Sequence, residues 1–329
     1  MKDSADIRKI NLYKIRNILW SGEWKTKQQL AMETGLSVAT CNTFLNELSE
    51  TGEVVSQRTR IHDVGPGALQ YRINEEFETI LCVWFDRRGG ADELTVKVMS
   101  MTGNILYEEE KTYEELTPEH LQTAIAKMFD RFSNITSIMV GTPSIAESGV
   151  IRYCDIPALE GYSIVEALTQ QFCVPVHLEN DMNFKVFGYA GQYGSDTGVV
   201  TLANFPKGVL PGTTTVHDGT VVRGHNQFAG MIGFLPYDMS REELIEILQP
   251  ETCRAVVVKA IASLIAVLNP GKIVLTGDLL DETCPEWLRK ECFKWIPESY
   301  MPELIYQKDM DDYYLAGMYW RALELKGAV

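Results

Sequence analysis

No apolar run in this chain reaches the ~18–20 residues that a membrane-crossing helix needs, so a bilayer-spanning role is not expected. The opening MKDSADIRKI is charged and lacks the apolar core of a secretion signal. Cysteine is present without a pattern. Cys41, Cys82, Cys154, Cys173, Cys253, Cys284 and Cys292 are odd in number, and no two form a CxxC. A disulfide scaffold and the usual zinc spacings are thereby excluded, and a reducing cytoplasm is the expected setting. Positive charge is also short. Thirty Lys and Arg face 45 Asp and Glu, a formal net charge of −15, which excludes a general nucleic-acid coat or a binder of anionic membranes. What remains is ordinary globular composition, 45% hydrophobic and 23% charged over 329 residues, and that length predicts two or three domains.

The acidic charge is unevenly spread. Residues 1–75 carry 10 Lys/Arg and 9 Asp/Glu, so nearly all the negative excess lies beyond them. In this near-neutral segment Ile7, Ile10, Leu12, Ile15, Ile18 and Leu19 fall near helical spacing. A second helix is predicted from the cap Thr26 to Gly35, and a third from the cap Ser37 to Gly52. Two short helices about a tight glycine turn form the helix-turn-helix pattern. EVVSQRTRIHDVGPGALQYRI follows as two strands about Gly65, Pro66 and Gly67, a wing. The start of the third helix offers Ser37, Ala39, Thr40, Asn42 and Thr43, small polar groups suited to base edges or phosphates. Lys25, Lys27, Arg58 and Arg60 are candidates for phosphate contacts. A protein-interaction module is the competing use of such a domain.

From about residue 79 the texture changes. TILCVWF, LTVKVMS and ILYEEEKTY read as a β-meander, and TPEHLQTAIAKMFDRFS as a helix capped by Thr117 with Pro118 at its first position. ITSIMVGTP and VPVHLEN are strands, the latter running into the helix MNFKVFGYAG. Near residue 198 the order restarts: the strand GVVTLANF, the hairpin TTTVHDGTVVRG, the helices REELIEILQ and RAVVVKAIASLIAVLN, the strand KIVLTGDLL and a last helix DYYLAGMYWRALELK. The restart predicts two related α/β lobes. The expected spans are 1–78 for the winged helix, 79–184 with about 310–329 for the first lobe, and 185–309 for the second. His177 reads as a core histidine, and His217, His225, Arg87 and Arg88 as surface residues.

This ordering resembles the ROK family, which groups sugar-responsive repressors with sugar kinases. The resemblance covers nearly the whole chain. Its most specific match is VPVHLENDMN, which is similar to the family's strand ending in Glu-Asn-Asp-x-Asn. GPGALQYRIN resembles the wing motif, with Pro66 where an arginine is usual. VGTPSIAESGVI, HDGTVVRGHNQFAGMIGF and KIVLTGDLL resemble its glycine loops and its adenosine-side strand. The resemblance implies a winged helix followed by two lobes of the actin-like, ribonuclease-H-like ATPase fold. It places Asp181 where the family has its catalytic base. Four departures argue against kinase activity. Phe234 stands at the position of a zinc-binding histidine, and Cys253 stands alone where the family has a cysteine cluster. Met231 replaces the sugar-binding glutamate. DRRGGADE and NFPKGVLPG replace glycine-rich phosphate turns, and Pro206 and Pro211 remove backbone donors there.

The expectation is therefore a cytoplasmic ROK-type transcriptional regulator, not an enzyme, with no metal and no cofactor. Double-stranded DNA and a second copy of the chain, in a homodimer or tetramer, are its expected partners. Asn180 and Asp181 are the candidate ligand-binding residues for a sugar-like effector, with simple capping of the following helix by Asp181 and Asn183 as the competing reading. The alternative function is a sugar kinase carrying a winged helix. A third is a scaffold whose lobes only oligomerise.

Overall fold

The computed structural model describes residues 4–59, 68–88, 90–154, 156–193, 198–225 and 227–327. The chain begins with α1 (Ser4–Leu19), β1 (Lys25–Thr26), α2 (Lys27–Thr34), α3 (Val38–Glu50), β2 (Val54–Thr59) and β3 (Ala68–Ile73). The strands form an antiparallel sheet in the order β1-β3-β2, with Lys25 opposite Tyr71 and Val54 opposite Ile73. Each local signal has a visible cause. Thr26 caps α2 in a reciprocal box with Gln29, and Gly35 ends it at φ 71, a left-handed conformation that costs glycine nothing. Ser37 accepts from the Thr40 amide at 3.0 Å to start α3. Cys41, Phe44, Leu45 and Leu48, spaced to share one face of α3, are buried with Ile15 and Leu19 of α1. The glycine turn at 65–67 lies outside the described residues.

Next come β4 (Thr79–Arg88), β5 (Ala91–Ser100), β6 (Ile105–Tyr113), α4 (Pro118–Arg131), β7 (Ile135–Thr142), the small hairpin β8 (Ile145–Glu147) and β9 (Val150–Arg152), α5 (Ile164–Phe172), β10 (Val176–Asn180) and α6 (Asp181–Tyr193). Five of these strands make a sheet in the order β10-β7-β4-β5-β6. The chain then runs through β11 (Val199–Asn204), β12 (Gly212–His217), β13 (Thr220–Val221), α7 (Arg241–Ile247), α8 (Arg254–Leu268), β14 (Lys272–Thr276), α9 (Cys284–Cys292), β15 (Glu303–Tyr306) and α10 (Asp311–Gly327). The second sheet has the order β13-β12-β11-β14-β15, in which β14 runs parallel to both β11 and β15. KIVLT is apolar through its centre because both faces of β14 are covered. Ile273 and Leu275 pack with Val257, Ile261 and Leu264 of α8, while Val274 packs with Val186 and Tyr189 of α6. Sequence reading missed α9, β15 and the β8–β9 hairpin, all of them short.

The chain forms two compact units. One holds Met1–Val140, Ser163–His177 and Arg321–Val329, and the other holds Gly141–Tyr162 and Leu178–Trp320. This division differs from the expected spans 1–78, 79–184 and 185–309. The N-terminal helices join the unit of β4–β6, and α6 with most of α10 joins the unit of the second sheet. The reason for the latter lies in two glycines. Gly188 of α6 and Gly317 of α10 bring the two backbones together so closely that a Cβ on either would strike main-chain atoms of the facing helix. Among the described residues no helix is long and apolar enough to cross a membrane.

Candidate functional sites

The first candidate surface is α3 with the β2–β3 hairpin. Ala39 and Thr43 are exposed on α3, and Thr40 and Asn42 are half-buried beside them. The Thr43 hydroxyl donates to the Ala39 carbonyl at 3.2 Å. Asn42 is reached by Lys27, whose ammonium donates to the Asn42 carbonyl oxygen and lies 5.4 Å from the centre of the Tyr71 ring. Lys27 and Asn42, 15 residues apart, are thus brought together, as are Ser37 and Thr40, whose hydroxyls are 2.8 Å apart. Lys25 is placed differently. It is held between Glu23 at 2.8 Å and Glu33 at 3.1 Å, and these carboxylates raise its pKa. Arg58 is exposed on β2. Arg60 lies outside the described residues. Sequence reasoning passed over Asn46, exposed on α3 one turn beyond Thr43 and Asn42; helical spacing from those two was the available signal.

Two other acids of this region, Glu47 and Glu53, are engaged by arginines of α1. Arg8 of α1 donates to both oxygens of Glu47 at 2.6 Å, and Arg16 forks onto Glu53 at 2.6 Å through two nitrogens. Glu53 raises the Arg16 pKa chiefly through this bond. The first turn of α3 contains no acidic residue. An incoming phosphate therefore meets the positive end of a helix and no carboxylate in that turn.

The second candidate site is the corner where β10 becomes α6. Glu179 is buried, and Arg223 donates to its Oε2, 44 residues away in sequence. Asn183 donates to Glu179 Oε1 at 2.8 Å and accepts from the Thr214 hydroxyl at 2.5 Å. The Asn180 side-chain amide donates to the Ser144 carbonyl at 3.1 Å, and its oxygen accepts from the Met182 amide at 3.0 Å. Asn180 is thus the residue that caps α6, where sequence reading weighed Asp181 and Asn183 for that part. Asp181 opens the helix and pairs with Lys185 one turn along, at 2.6 Å. The polar groups of this corner are largely satisfied by one another.

Two loops bear on phosphate binding. The β4–β5 ladder continues without interruption to Arg88 opposite Ala91, and Arg87 pairs with the fully buried Asp92 at 2.9 Å. This turn is a closed hairpin. In the connection from β11 to β12, the Phe205 amide donates to Thr276, the Gly208 amide to Leu248, and the Lys207 amide faces an Asp278 oxygen at 3.5 Å. Pro206 and Pro211 lack donors, and the amides of Phe205 and Gly208 are spent on Thr276 and Leu248, so few backbone hydrogens of this connection are left for a phosphate. Gly277 closes the space further, since a Cβ there would strike Phe205 and Asn204. Cys253 donates weakly to the Leu279 carbonyl at 3.9 Å. Burial pushes the Cys284 thiol up to about 12 and Cys292 up to about 11, so both stay protonated.

The comparisons with known proteins agree with this architecture. No curated protein sequence matches the chain. A crystal structure of a ROK family transcriptional regulator, described as a homolog of the E. coli MLC protein, superposes with a TM-score of 0.74 at 16% identity and covers 96% of both chains. The ROK hexokinase from Thermus thermophilus gives 0.58 at 20% identity, over 75% of this chain and 99% of its own. A ROK family glucokinase from Streptomyces griseus, solved with glucose and AMPPNP, gives 0.51 at 16%, over 73% and 98%. These likenesses establish the actin-like, sugar-kinase-like fold with its mixed sheets. The ROK family model matches residues 88–254, just over half of the chain, and the chain belongs to the ROK family.

Proposed function

We propose that this chain is a ROK-type transcriptional regulator that binds duplex DNA through α3 and the β2–β3 hairpin. Its kinase-like body pairs with a second copy and transfers no phosphate. The observation that carries the reading is one of extent. The regulator structure spans 96% of this chain and the two kinases about three quarters. The missing quarter is the size of the N-terminal segment of helices and sheet. The order α1, β1, α2, α3, β2, β3 is that of a winged helix, and α3 presents small polar side chains at its start, as a recognition helix does. Thr40, Asn42 and Thr43 would face bases. Ser37, Lys27, Arg58 and Arg60 would face phosphates, and Lys25 would do so only by leaving its two carboxylates. Asn180 and Asp181 are where a sugar-like effector would bind, in exchange for their present partners. The spent phosphate loops and the Asp181–Lys185 pair support a body without kinase activity. A cytoplasmic location follows from a DNA-binding role.

The test uses fragments of genomic DNA recovered with the full chain. Replacing Asn42 and Thr43 together by Ala is expected to weaken binding of a recovered fragment by about 5- to 150-fold for each base the two side chains read, from ~1–3 kcal/mol of discrimination per base. A gel-shift titration with unchanged affinity and an intact circular dichroism spectrum would defeat the assignment.

A further inference from the structure

We propose that the second unit carries a site for a small, neutral, apolar ring compound, in the cavity bounded by β12, α8 and the segment 228–235. The cavity measures about 270 Å³. An apolar cavity of ~150 Å³ holds a benzene, so this one suits a molecule of one or two rings. Its walls include Phe228, Met231, Ile232, Leu264 and Val267, and among the described residues no charged side chain lines it.

The hydroxyls at its edge bear on the ligand class, because three of the four donate elsewhere in the protein and Thr215 shares one hydrogen bond with Thr201. Thr213 donates to the Gly230 carbonyl at 3.0 Å, and Thr214 to Asn183 at 2.5 Å. Thr215 and Thr201 share a bond of 2.9 Å, and Ser263 donates to Lys259 at 2.7 Å. A sugar entering here would surrender several hydrogen bonds to water and regain few, at ~1–3 kcal/mol for each group left unpaired. An apolar ring loses nothing comparable. It gains contact with Met231 and Phe228, a thioether and an aromatic ring that both favour an aromatic partner.

The wall is held in place. Thr213 and Gly230 are tied through the Thr213 amide at 2.8 Å as well as its hydroxyl, and Gly230 at φ 91 has no room for a Cβ against the Thr213 carbonyl. At the rim, Phe228 meets the Phe234 ring edge-on at 5.2 Å, and Arg241 of α7 stacks 3.8 Å from the centre of Phe234. Val267, 80% exposed, leaves the mouth open to solvent. The inference does not depend on DNA binding.

Isothermal titration of the full chain with indole, and in parallel with glucose, tests it. Saturable binding of one indole per chain at about millimolar concentration or below is expected, and any glucose signal in the same range should be insensitive to crowding of this cavity. Met231→Glu, which sets a carboxylate in the cavity, and Val267→Trp, which crowds the exposed rim without disturbing the core, should each weaken indole at least about tenfold. Absence of saturable indole binding, or affinity unchanged in both folded variants, would overturn the proposal. So would glucose binding that Val267→Trp weakens, which would place a sugar in this cavity. An indole-silent cavity whose Val267→Trp variant changes oligomeric state in sedimentation would also overturn it, and would give the face to a second copy of the chain.

Discussion

The two five-stranded sheets repeat one topology and differ in their corners. Written outward from the same end, the orders β6-β5-β4-β7-β10 and β13-β12-β11-β14-β15 are equivalent: a three-strand meander, then two strands reached through helices, then a closing helix, α6 or α10. In the first sheet the opening hairpin is zipped to Arg88 and Ala91. In the second, the corresponding connection spans residues 205–211 and is tied by its amides to Thr276, Leu248 and Asp278. After the last strand, the β10–α6 corner holds a connected network of Glu179, Asn183, Arg223 and Thr214. At the β15–α10 corner the Asp311 amide donates to Asp309 at 2.8 Å, a local turn. Equal topology with unequal corners teaches that the repeat is a matter of packing, while the chemistry of each corner rests on a few side chains.

The sharpest way to break the comparison is at the point where the two closing helices meet. Gly317→Ala is expected to cost about 3 kcal/mol or more, because the added methyl meets main-chain atoms at Phe184 and Gly188 that cannot yield as a flexible side chain would. Urea unfolding monitored by tryptophan fluorescence measures it, and a cost below about 1 kcal/mol would mean that the helices can separate freely.

A smaller loss is expected at the polar corner. Arg223→Ala removes the cationic partner of a buried carboxylate and should cost about 3 kcal/mol before relaxation, less as water reaches the vacated space, since Arg223 is 30% exposed. The same unfolding experiment applies. Recovery on changing Glu179 to Gln in that background would identify the uncompensated charge as the cause, whereas an equal loss in the double variant would identify packing.

The smallest expected effect is none. Coupled ADP release with hexoses and amino sugars should stay at background, both for the natural chain and for Lys185→Ala, which frees the Asp181 carboxylate. A base alone, without a nucleotide cradle, supplies little of the rate. Turnover that appears in Lys185→Ala and vanishes on replacing Asp181 would turn the comparison round. The tied loop at 205–211 would then be one that opens.

Much of this molecule is legible in its sequence. The caps Thr26, Ser37 and Thr117, the left-handed Gly35, the apolar β14 and the restart of the meander near residue 198 are local matters, settled by groups within about four residues of one another or by patterns of period 2 and 3.6. Only the tertiary structure decided that Lys27 reaches Asn42, that Arg223 neutralises Glu179, that Asn180 is spent on the 142–144 turn and that Gly188 and Gly317 join α6 to α10. The physical reason is distance along the chain. A cap or a periodic face is set by the backbone it sits on. A partner 15, 44 or 129 residues away exists only once packing has brought two elements together, and no spacing in the sequence carries that information.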